Sequence, residues 1–487
     1  MSDLSFRHLV NNSLIYGLGQ VLSRFISFLL LPLFTAYLSP NDYGIIAILA
    51  VMNLVVTSVF SLGFGSATGL CYFAGDGPRR KADTIWTSVF ILMLSVLVMS
   101  ASAYIFPRQI SEILFHTPDH NRLVTLSMLS AGTIILNAQF MLYLMFEKRA
   151  VLYVVITTTV TLLSLALSVL TVVFLGRGVA GVIESLLISH VAGLIMLIIP
   201  TIRGLPIRLN GDIALELLRF GIPLIPSALF LFILQPANQY ILERFRGLDE
   251  VGVYVIGFSF GAVMNFLVSA FSSAWYPHFM AFMNHPEEAR YTFGRVITGY
   301  ILGFGVTSLL FYALAKPVVL IMTQLPFHDA YKVVGMTSTA YFLSGLFMLL
   351  LPAVYFAKEV KYISVIQGVS ALVAVLLNLA LIPWLGLIGA ALALVLGHVA
   401  LVVFQYAWNR YRQGVYLQIY YDWKRIARFG TFYVLIAALT LWPRHCNILY
   451  EIMLSVCMSA MLIFVLYILL TEDEKRFLTS IITQMKP

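Results

Sequence analysis

Long apolar stretches separated by short polar segments run from one end of the chain to the other. A helix needs about 20 apolar residues to cross a bilayer, and we identify fourteen candidate stretches, of which the thirteenth is the shortest. They lie near 11–38, 43–70, 84–106, 123–146, 150–175, 179–200, 215–242, 251–280, 292–323, 333–357, 362–383, 387–408, 427–443 and 448–470. No strand-like alternation of apolar and polar positions competes with this pattern. The pattern predicts an all-α polytopic membrane protein with about 14 transmembrane helices.

The second half of the chain repeats the first at a constant offset of 208 residues. GVAGVIESLLISHVAG at 178–193 corresponds to GLIGAALALVLGHVAL at 386–401. The residues identical at this offset are Gly178 and Gly386, Gly181 and Gly389, Leu186 and Leu394, His190 and His398, Val191 and Val399, Ala192 and Ala400, and also Gly44 and Gly252. Because each repeat holds an even number of spans, both repeats enter the membrane in the same orientation. This predicts two parallel six-helix repeats related by a pseudo-two-fold axis along the membrane normal.

The repeat divides the chain into three predicted segments. Residues 1–208 form an N-terminal lobe with spans 1–6, and residues 209–413 form a C-terminal lobe with spans 7–12. Residues 414–487 hold a C-terminal pair of spans and a tail outside the duplication. Paired lobes of this kind are how many secondary transporters build a central site.

Composition and charge narrow the class of protein further. A mean hydropathy of +0.93 with 11% charged residues excludes a soluble domain and excludes disorder. If the N-terminus is inside, 21 of the 30 Lys and Arg residues lie on the cytoplasmic side and eight on the other. Cytoplasmic loops retain positive charge, so both termini are predicted to be cytoplasmic. The net charge of +8 then reflects topology and contact with anionic lipid headgroups, and nucleic acid is not expected as a partner.

The motifs of enzymes and metal sites are missing from the sequence. There is no P-loop GxxxxGK[ST], no Asp-x-Asp pair and no large outer loop that could hold catalytic acids and bases. The three cysteines, Cys71, Cys446 and Cys457, have no metal-binding spacing. We therefore expect a protein that is not an enzyme and that uses no cofactor and no metal.

Arg24 is the most unusual single residue, because it lies near the middle of the first predicted span. An ionised side chain is costly there unless it faces a wet cavity or a counter-ion. Gln20 lies one turn earlier on the same helix face. Guanidinium binds phosphate through two parallel hydrogen bonds and stays charged, so Arg24 and Gln20 are candidate ligands for a phosphate group. The alternative is a salt bridge from Arg24 to an acid such as Glu184.

Three further residues are candidates for proton coupling. Glu184 is a carboxylate within a predicted span and could carry a proton, pair with Arg24 or reach the outer interface. His190 and His398 place one histidine in each repeat, which fits a proton relay. The alternative for both histidines is inheritance from the duplication, with each imidazole bonded to a neighbouring backbone or hydroxyl group.

Uncharged amides offer a different kind of contact. Neutral donors and acceptors within the spans suit a hydroxyl-rich ligand, and the candidate substrate-binding residues of this type are Asn53, Gln235, Asn238, Gln239 and Asn265. Together they indicate a polar interior rather than a purely apolar pocket.

Three segments carry a family resemblance: NSLIYGLGQVLSRFISFLLLPLFTAYLSPNDYG, then SLGFGSATGLCYF, and in the second half QYILERFRGLDEVGVY followed by SSAWYPHFM. With the six-plus-six-plus-two span count, the chain resembles the polysaccharide exporters of the multidrug/oligosaccharidyl-lipid/polysaccharide superfamily, which include the Wzx-type flippases. Relatives often have an Asp-Arg pair where this chain has Asn238-Gln239. That departure shifts any phosphate-binding role towards Arg24.

The resemblance implies a function, a location and partners. An undecaprenyl-diphosphate-linked oligosaccharide would enter between the lobes from the inner leaflet of the bacterial inner membrane and leave outside by alternating access. Its sugar would be an O-antigen, capsule or exopolysaccharide repeat unit. The expected partners are the lipid-linked oligosaccharide and membrane lipids, with a polysaccharide polymerase and glycosyltransferases as candidate protein partners. Two alternatives stay open: a cation-coupled exporter of small molecules, and a membrane scaffold of a polysaccharide-assembly complex without transport.

Overall fold

The computed structural model describes residues 28, 30–74, 77–225, 237–282, 286–357, 359, 361–412, 416–441 and 448–469. Within these ranges the chain forms helices and no strand, and ten helical segments are long and apolar enough to cross a membrane. The prediction of an all-α polytopic membrane protein is confirmed. The arrangement of the two repeats about an axis stays a prediction.

The helices follow the predicted spans in order along the chain. They are α1 Leu31–Tyr37, α2 Pro40–Phe60, α3 Phe64–Phe73, α4 Pro78–Ile105, α5 Pro107–Phe115, α6 Asn121–Phe146, α7 Ala150–Val169, α8 Gly178–Gly204, α9 Gly211–Gly221, α10 Ala237–Arg246, α11 Leu248–Gly261, α12 Val263–Ala281, α13 Pro286–Met322, α14 Tyr331–Leu350, α15 Pro352–Phe356, α16 Lys361–Tyr411, α17 Trp423–Leu441 and α18 Ile448–Leu469. A π-helical turn, Leu170–Phe174, continues α7, and short 3₁₀ segments occupy Ile222–Leu224 and Leu325–Ala330.

The chain divides into two compact units, Met1–Tyr240 and Ile241–Pro487. In the first unit, α9 packs against α3 and α4, with Ile213 and Leu217 buried. Arg80 on α4 forms an ion pair of 3.0 Å with Glu216 on α9. These contacts place α9, which follows the predicted boundary at residue 208, in the first unit. The three-segment division at 208 and 413 itself stays a prediction.

The helices are interrupted at two places, and at each of them a glycine has a positive φ. Between α2 and α3, Leu62 and Gly63 have φ of 54° and 67°. A Cβ on Gly63 would collide with the carbonyl of Gly221, so only glycine permits this approach. The 51-residue helix α16 contains a non-helical residue, Gly386, with φ 55° and ψ −131°. This residue separates the stretches predicted as the eleventh and twelfth spans.

In the second unit, the last two helices are bonded to α13 and α14. The hydroxyl of Tyr433 on α17 lies 2.7 Å from Ser308 on α13 and 2.6 Å from Thr339 on α14. Lys316 on α13 donates to Glu451 on α18 at 2.6 Å, and the Glu451 side chain is only 3% exposed. A buried polar group must be paired to be tolerated, so these bonds attach α17 and α18 firmly to the unit.

Candidate functional site

One face of α6 carries polar side chains that contact two neighbouring helices of the first unit. Ser127 donates to the side-chain oxygen of Asn53 on α2 at 3.0 Å. Ser130 lies 3.4 Å from Nδ1 of His190 on α8, and Asn137 donates to the His190 carbonyl at 2.8 Å. We call Asn53, Ser127, Ser130, Asn137 and His190 the α6 network. It places two sequence-predicted candidates, Asn53 on α2 and His190 on α8, against the same face of α6.

A cavity of about 310 Å³ adjoins the α6 network at His190. The residues that line it come from α1, α2, α7 and α8: Phe34, Leu38, Tyr43, Ile46, Val160, Thr161, Ser164, Leu165, Ser168, Val182, Leu186 and His190. The polar side chains among these described lining residues are hydroxyl groups and an imidazole, and none of them is a carboxylate, a lysine or an arginine. Chemically, the cavity can receive neutral polar groups and alkyl groups.

A second feature of the α6 network is the side-chain oxygen of Asn137. This Oδ1 atom is buried and has no hydrogen-bond partner in the part of the chain that the structure describes. A Cβ on Gly193 would lie 3.6 Å from that oxygen. Buried polar atoms are normally hydrogen-bonded, so the Asn137 oxygen is suited to accept from a hydroxyl group of a ligand or from water.

Glu184 pairs with two arginines on the first unit. Its Oε1 accepts from Arg122 at 3.0 Å and its Oε2 from Arg177 at 2.6 Å. The glutamate side chain is 15% exposed, whereas the arginine side chains are 74% and 54% exposed. The Glu184 carboxylate thus has two cationic partners among the described residues. Its role in proton coupling stays a prediction.

In the second unit, His398 is buried on α16 and its Nδ1 donates to the carbonyl of Leu394 at 2.9 Å. His190, its counterpart in the repeat, contacts a hydroxyl group instead. The contacts of both histidines agree with the alternative in which each imidazole is bonded to a neighbouring backbone or hydroxyl group and has a structural role. A proton relay through the two histidines stays a prediction.

The remaining amide candidates lie at separate places. Asn265, near the start of α12, accepts from Ser269 at 3.4 Å. Asn238 is 3% exposed on α10, and Gln239 beside it is partly exposed. Gln20, Arg24 and Gln235 lie outside the described residues. Substrate binding by these six residues stays a prediction.

The sequence analysis did not single out Ser127, Ser130 and Asn137. Their spacing of three and seven residues puts them on one helix face, but serines that bond only their own helix have the same spacing. In the described residues no group of three or more His, Cys, Asp or Glu side chains is placed to hold a metal ion.

Comparisons with known proteins give a family and a fold. Residues 9–283 match the family described as polysaccharide biosynthesis protein. The fold resembles the inward closed conformation of the Lipid II flippase MurJ, with a TM-score of 0.73 and 15% identity, covering 93% of this chain and 99% of that one. It also resembles an inward-facing multidrug resistance MATE family transporter of the MOP superfamily, with a TM-score of 0.64 and 15% identity over 80% and 94% of the two chains. No curated protein sequence matches the chain.

Proposed function

Because the chain belongs to the polysaccharide biosynthesis protein family, we propose that it flips a lipid-linked oligosaccharide across the bacterial inner membrane. The observation that carries this proposal is the family match, which spans residues 9–283. The similarity in fold to a Lipid II flippase over 93% of this chain supports movement of a lipid. The substrate proposed is an undecaprenyl-diphosphate-linked repeat unit of an O-antigen, a capsule or an exopolysaccharide.

Each part of this substrate needs a different partner. A diphosphate needs a fixed cation, and we assign that role to Arg24 with Gln20 beside it. The sugars need neutral donors and acceptors, and we assign these to the amides: Asn53, Gln235, Asn238, Gln239 and Asn265. The polyprenyl tail needs only the bilayer. The α6 network supports this assignment, because its asparagine and serine side chains are uncharged donors and acceptors.

The mechanism we propose is alternating access between the N-terminal and C-terminal lobes. The substrate is loaded from the inner leaflet, with both termini of the protein cytoplasmic, as the distribution of Lys and Arg predicts. Polysaccharide polymerase and glycosyltransferases are the protein partners that such a pathway requires. Glu184, His190 and His398 are the candidates for coupling to a proton gradient.

Reconstitution tests this proposal directly. Purified protein is placed in vesicles that contain a fluorescent undecaprenyl-diphosphate oligosaccharide, and a membrane-impermeant quencher is added outside. If the protein flips the lipid, the quenched fraction should rise from about half towards completion, whereas vesicles without protein should stop at about half. Vesicles with Arg24→Ala are the matched control.

The same assay separates the two alternatives. A cation-coupled exporter of small molecules would leave the quenched fraction at one half, but would accumulate an amphipathic dye when a cation gradient is imposed. A scaffold without transport would do neither. In cells, the flippase predicts normal synthesis of the lipid-linked oligosaccharide inside and its loss from the outer leaflet when the protein is removed.

A further inference from the structure

The first unit has a groove between α7 and α8, at the end predicted to face the cytoplasm. Its volume is about 550 Å³, and it is lined by Arg149, Leu152, Val155, Ile156, Met196, Ile199, Pro200, Arg203 and Gly204. The two arginines come from the beginning of α7 and the end of α8, and both are exposed. The walls between them are apolar. The groove thus joins two positive charges to a surface that suits an alkyl chain.

The charges of the groove are not neutralised by neighbours in the described residues. Two other arginines at this end have carboxylate partners: Arg80 pairs with Glu216 and Arg208 with Asp83. Arg149 and Arg203 form no ion pair with a described carboxylate. A Cβ on Gly204 would lie 3.9 Å from Nη2 of Arg149, an ordinary contact distance, so this guanidinium lies against the end of α8, one residue after Arg203.

The shape of the groove also has a physical cause. Pro200 has no N–H group and cannot donate to the carbonyl of Met196 four residues earlier, which weakens α8 at this point. Val155 on α7 and Ile199 on α8 are 51% and 49% exposed. Both helices thus present large apolar side chains to the groove, and the proline lies in its wall. This leaves room for an alkyl chain of another molecule.

We propose that this groove binds an anionic phospholipid of the inner leaflet, with its phosphate between Arg149 and Arg203 and an acyl chain along the apolar wall. Basic pockets between transmembrane helices on the cytoplasmic side bind lipid headgroups in this way. Among the described residues, the lining contains no side-chain hydroxyl or amide group that could hold sugars, which favours a phospholipid over the oligosaccharide substrate. The proposal is independent of the proposed function, because it needs no transport.

Native mass spectrometry of the full-length protein, after removal of bound lipid, tests this site. Phosphatidylglycerol and phosphatidylcholine with identical acyl chains are added separately. We expect one phosphatidylglycerol to be retained per protein and phosphatidylcholine to be retained far less. The double variant Arg149→Gln/Arg203→Gln should bind phosphatidylglycerol about 30-fold more weakly, since each basic residue near a lipid phosphate contributes a factor of about five.

Two further variants make the test specific. Arg79→Gln/Arg219→Gln removes the same charge from exposed positions of the same unit outside the groove, and it should retain the lipid as the wild type does. Val155→Trp keeps every charge but fills the apolar wall, and it should lower retention. Equal loss in both double variants, or equal retention of the two lipids, would overturn the proposal in favour of general surface attraction.

Two competitors identify the source of the phosphate. Inorganic phosphate at equal concentration should not displace phosphatidylglycerol, because it lacks the acyl chain. Displacement by inorganic phosphate would reduce the groove to an anion site and overturn the lipid assignment. Undecaprenyl diphosphate and a second phospholipid are also compared as competitors. If undecaprenyl diphosphate displaces phosphatidylglycerol at a far lower concentration, the groove belongs to the transported lipid, and the phospholipid proposal is overturned.

Discussion

Gly178 and Gly386, which are 208 residues apart, have almost the same positive φ, 54° and 55°. Gly178 begins α8, and Gly386 separates the two parts of α16. Each glycine therefore makes the turn between two consecutive predicted spans. In the second unit, the backbone N–H of Leu387 next to this turn donates to Glu250 on α11 at 3.0 Å. The duplication seen in the sequence thus extends to the positive φ at the turn.

The two glycines should nevertheless respond differently to substitution. A Cβ on Gly386 would lie 2.5 Å from an oxygen of Glu250, whereas a Cβ on Gly178 would meet nothing within 4 Å. Positive φ alone costs an alanine about 1–2 kcal/mol, and the ψ of −131° at Gly386 lies outside the left-handed region that an alanine can adopt. We expect Gly178→Ala to lower the free energy of unfolding by about that much and Gly386→Ala to lower it by more. Thermal unfolding of the two variants in detergent measures this difference. If both variants lose the same stability, the contact with Glu250 does not contribute to the cost of Gly386→Ala.

Substitution of Arg24 tests the phosphate assignment. Arg24→Ala should leave the protein abundant and inserted but stop export, with lipid-linked oligosaccharide accumulating inside. Arg24→Lys should restore export only in part, because an ammonium group keeps the charge but loses the two parallel hydrogen bonds. Protein abundance and outer-leaflet oligosaccharide are measured for both variants. A low abundance of Arg24→Ala that Glu184→Gln restores would show a salt bridge instead.

The two arginines at Glu184 allow a test of proton coupling. A carrier that must take up a proton would lose its dependence on the pH gradient in Glu184→Gln. With both oxygens bonded to arginines at 3.0 and 2.6 Å, we expect the variant to keep that dependence. It should also lose stability, by about 1 kcal/mol or less because both arginines are exposed. Transport with and without an imposed gradient, with Arg177→Gln as the comparison, separates the two roles.

The buried pair of Lys316 and Glu451 should be costly to break from one side. Glu451→Leu leaves Lys316, whose side chain is 19% exposed, without its carboxylate, and loss of one partner of a buried pair costs about 3–5 kcal/mol. The double variant Lys316→Met/Glu451→Leu removes both charges and should unfold close to the wild-type temperature. Unfolding temperatures of the single and double variants decide this. A double variant as unstable as the single one would mean that the charges are not the reason.

A cluster outside the spans gives a prediction for acid stability. Tyr416 donates to Glu359 at 2.6 Å, and Arg412 donates to its other oxygen at 2.6 Å. The hydrogen bond from Tyr416, then that from Arg412, lowers the pKa of Glu359 below its ordinary value of 4.5. A lowered folded-state pKa stabilises the protein above the ordinary value, and this stabilisation is lost as the pH falls through the folded-state pKa.

The wild type should therefore lose more stability between pH 7 and pH values below about 4.5 than Glu359→Gln loses. Unfolding temperatures at several pH values measure the difference. Glu287→Gln is the matched control, since Glu287 is 77% exposed in its pair with Arg290. If the two variants have the same pH profile, the cluster does not contribute to acid stability.

The order of the helices could be predicted because the bilayer imposes a minimum apolar length on each span. The break at Gly386 could also be predicted, since the repeat places a span boundary there. The interruption at Leu62 and Gly63 could not, because it depends on the approach of Gly221, which is remote in the sequence. Apolar length determines where a helix lies along the chain but not which backbones it contacts.

The contact partners of the polar side chains were harder to predict from the sequence, for a related reason. Glu184 was visible as an intramembrane acid, but Arg122 is 62 residues away, and nothing in the sequence pairs them. A polar face such as that of Ser127 and Ser130 has the same spacing as serines that only bond their own helix, as Ser272 does with the Val268 carbonyl. The rotation of each helix about its axis separates these cases, and packing determines that rotation.

The bond between Lys316 and Glu451 also has a consequence for biosynthesis. The two residues are 135 positions apart, and a ribosome that adds about 5–20 residues per second needs roughly 7–27 s to cover that distance. During this interval Lys316 has been synthesised while Glu451 has not, so their hydrogen bond cannot yet form. The second unit can complete this part of its packing only after α18 has been synthesised. Nascent chains that stop before α18 should therefore be recognised by membrane proteases as incomplete.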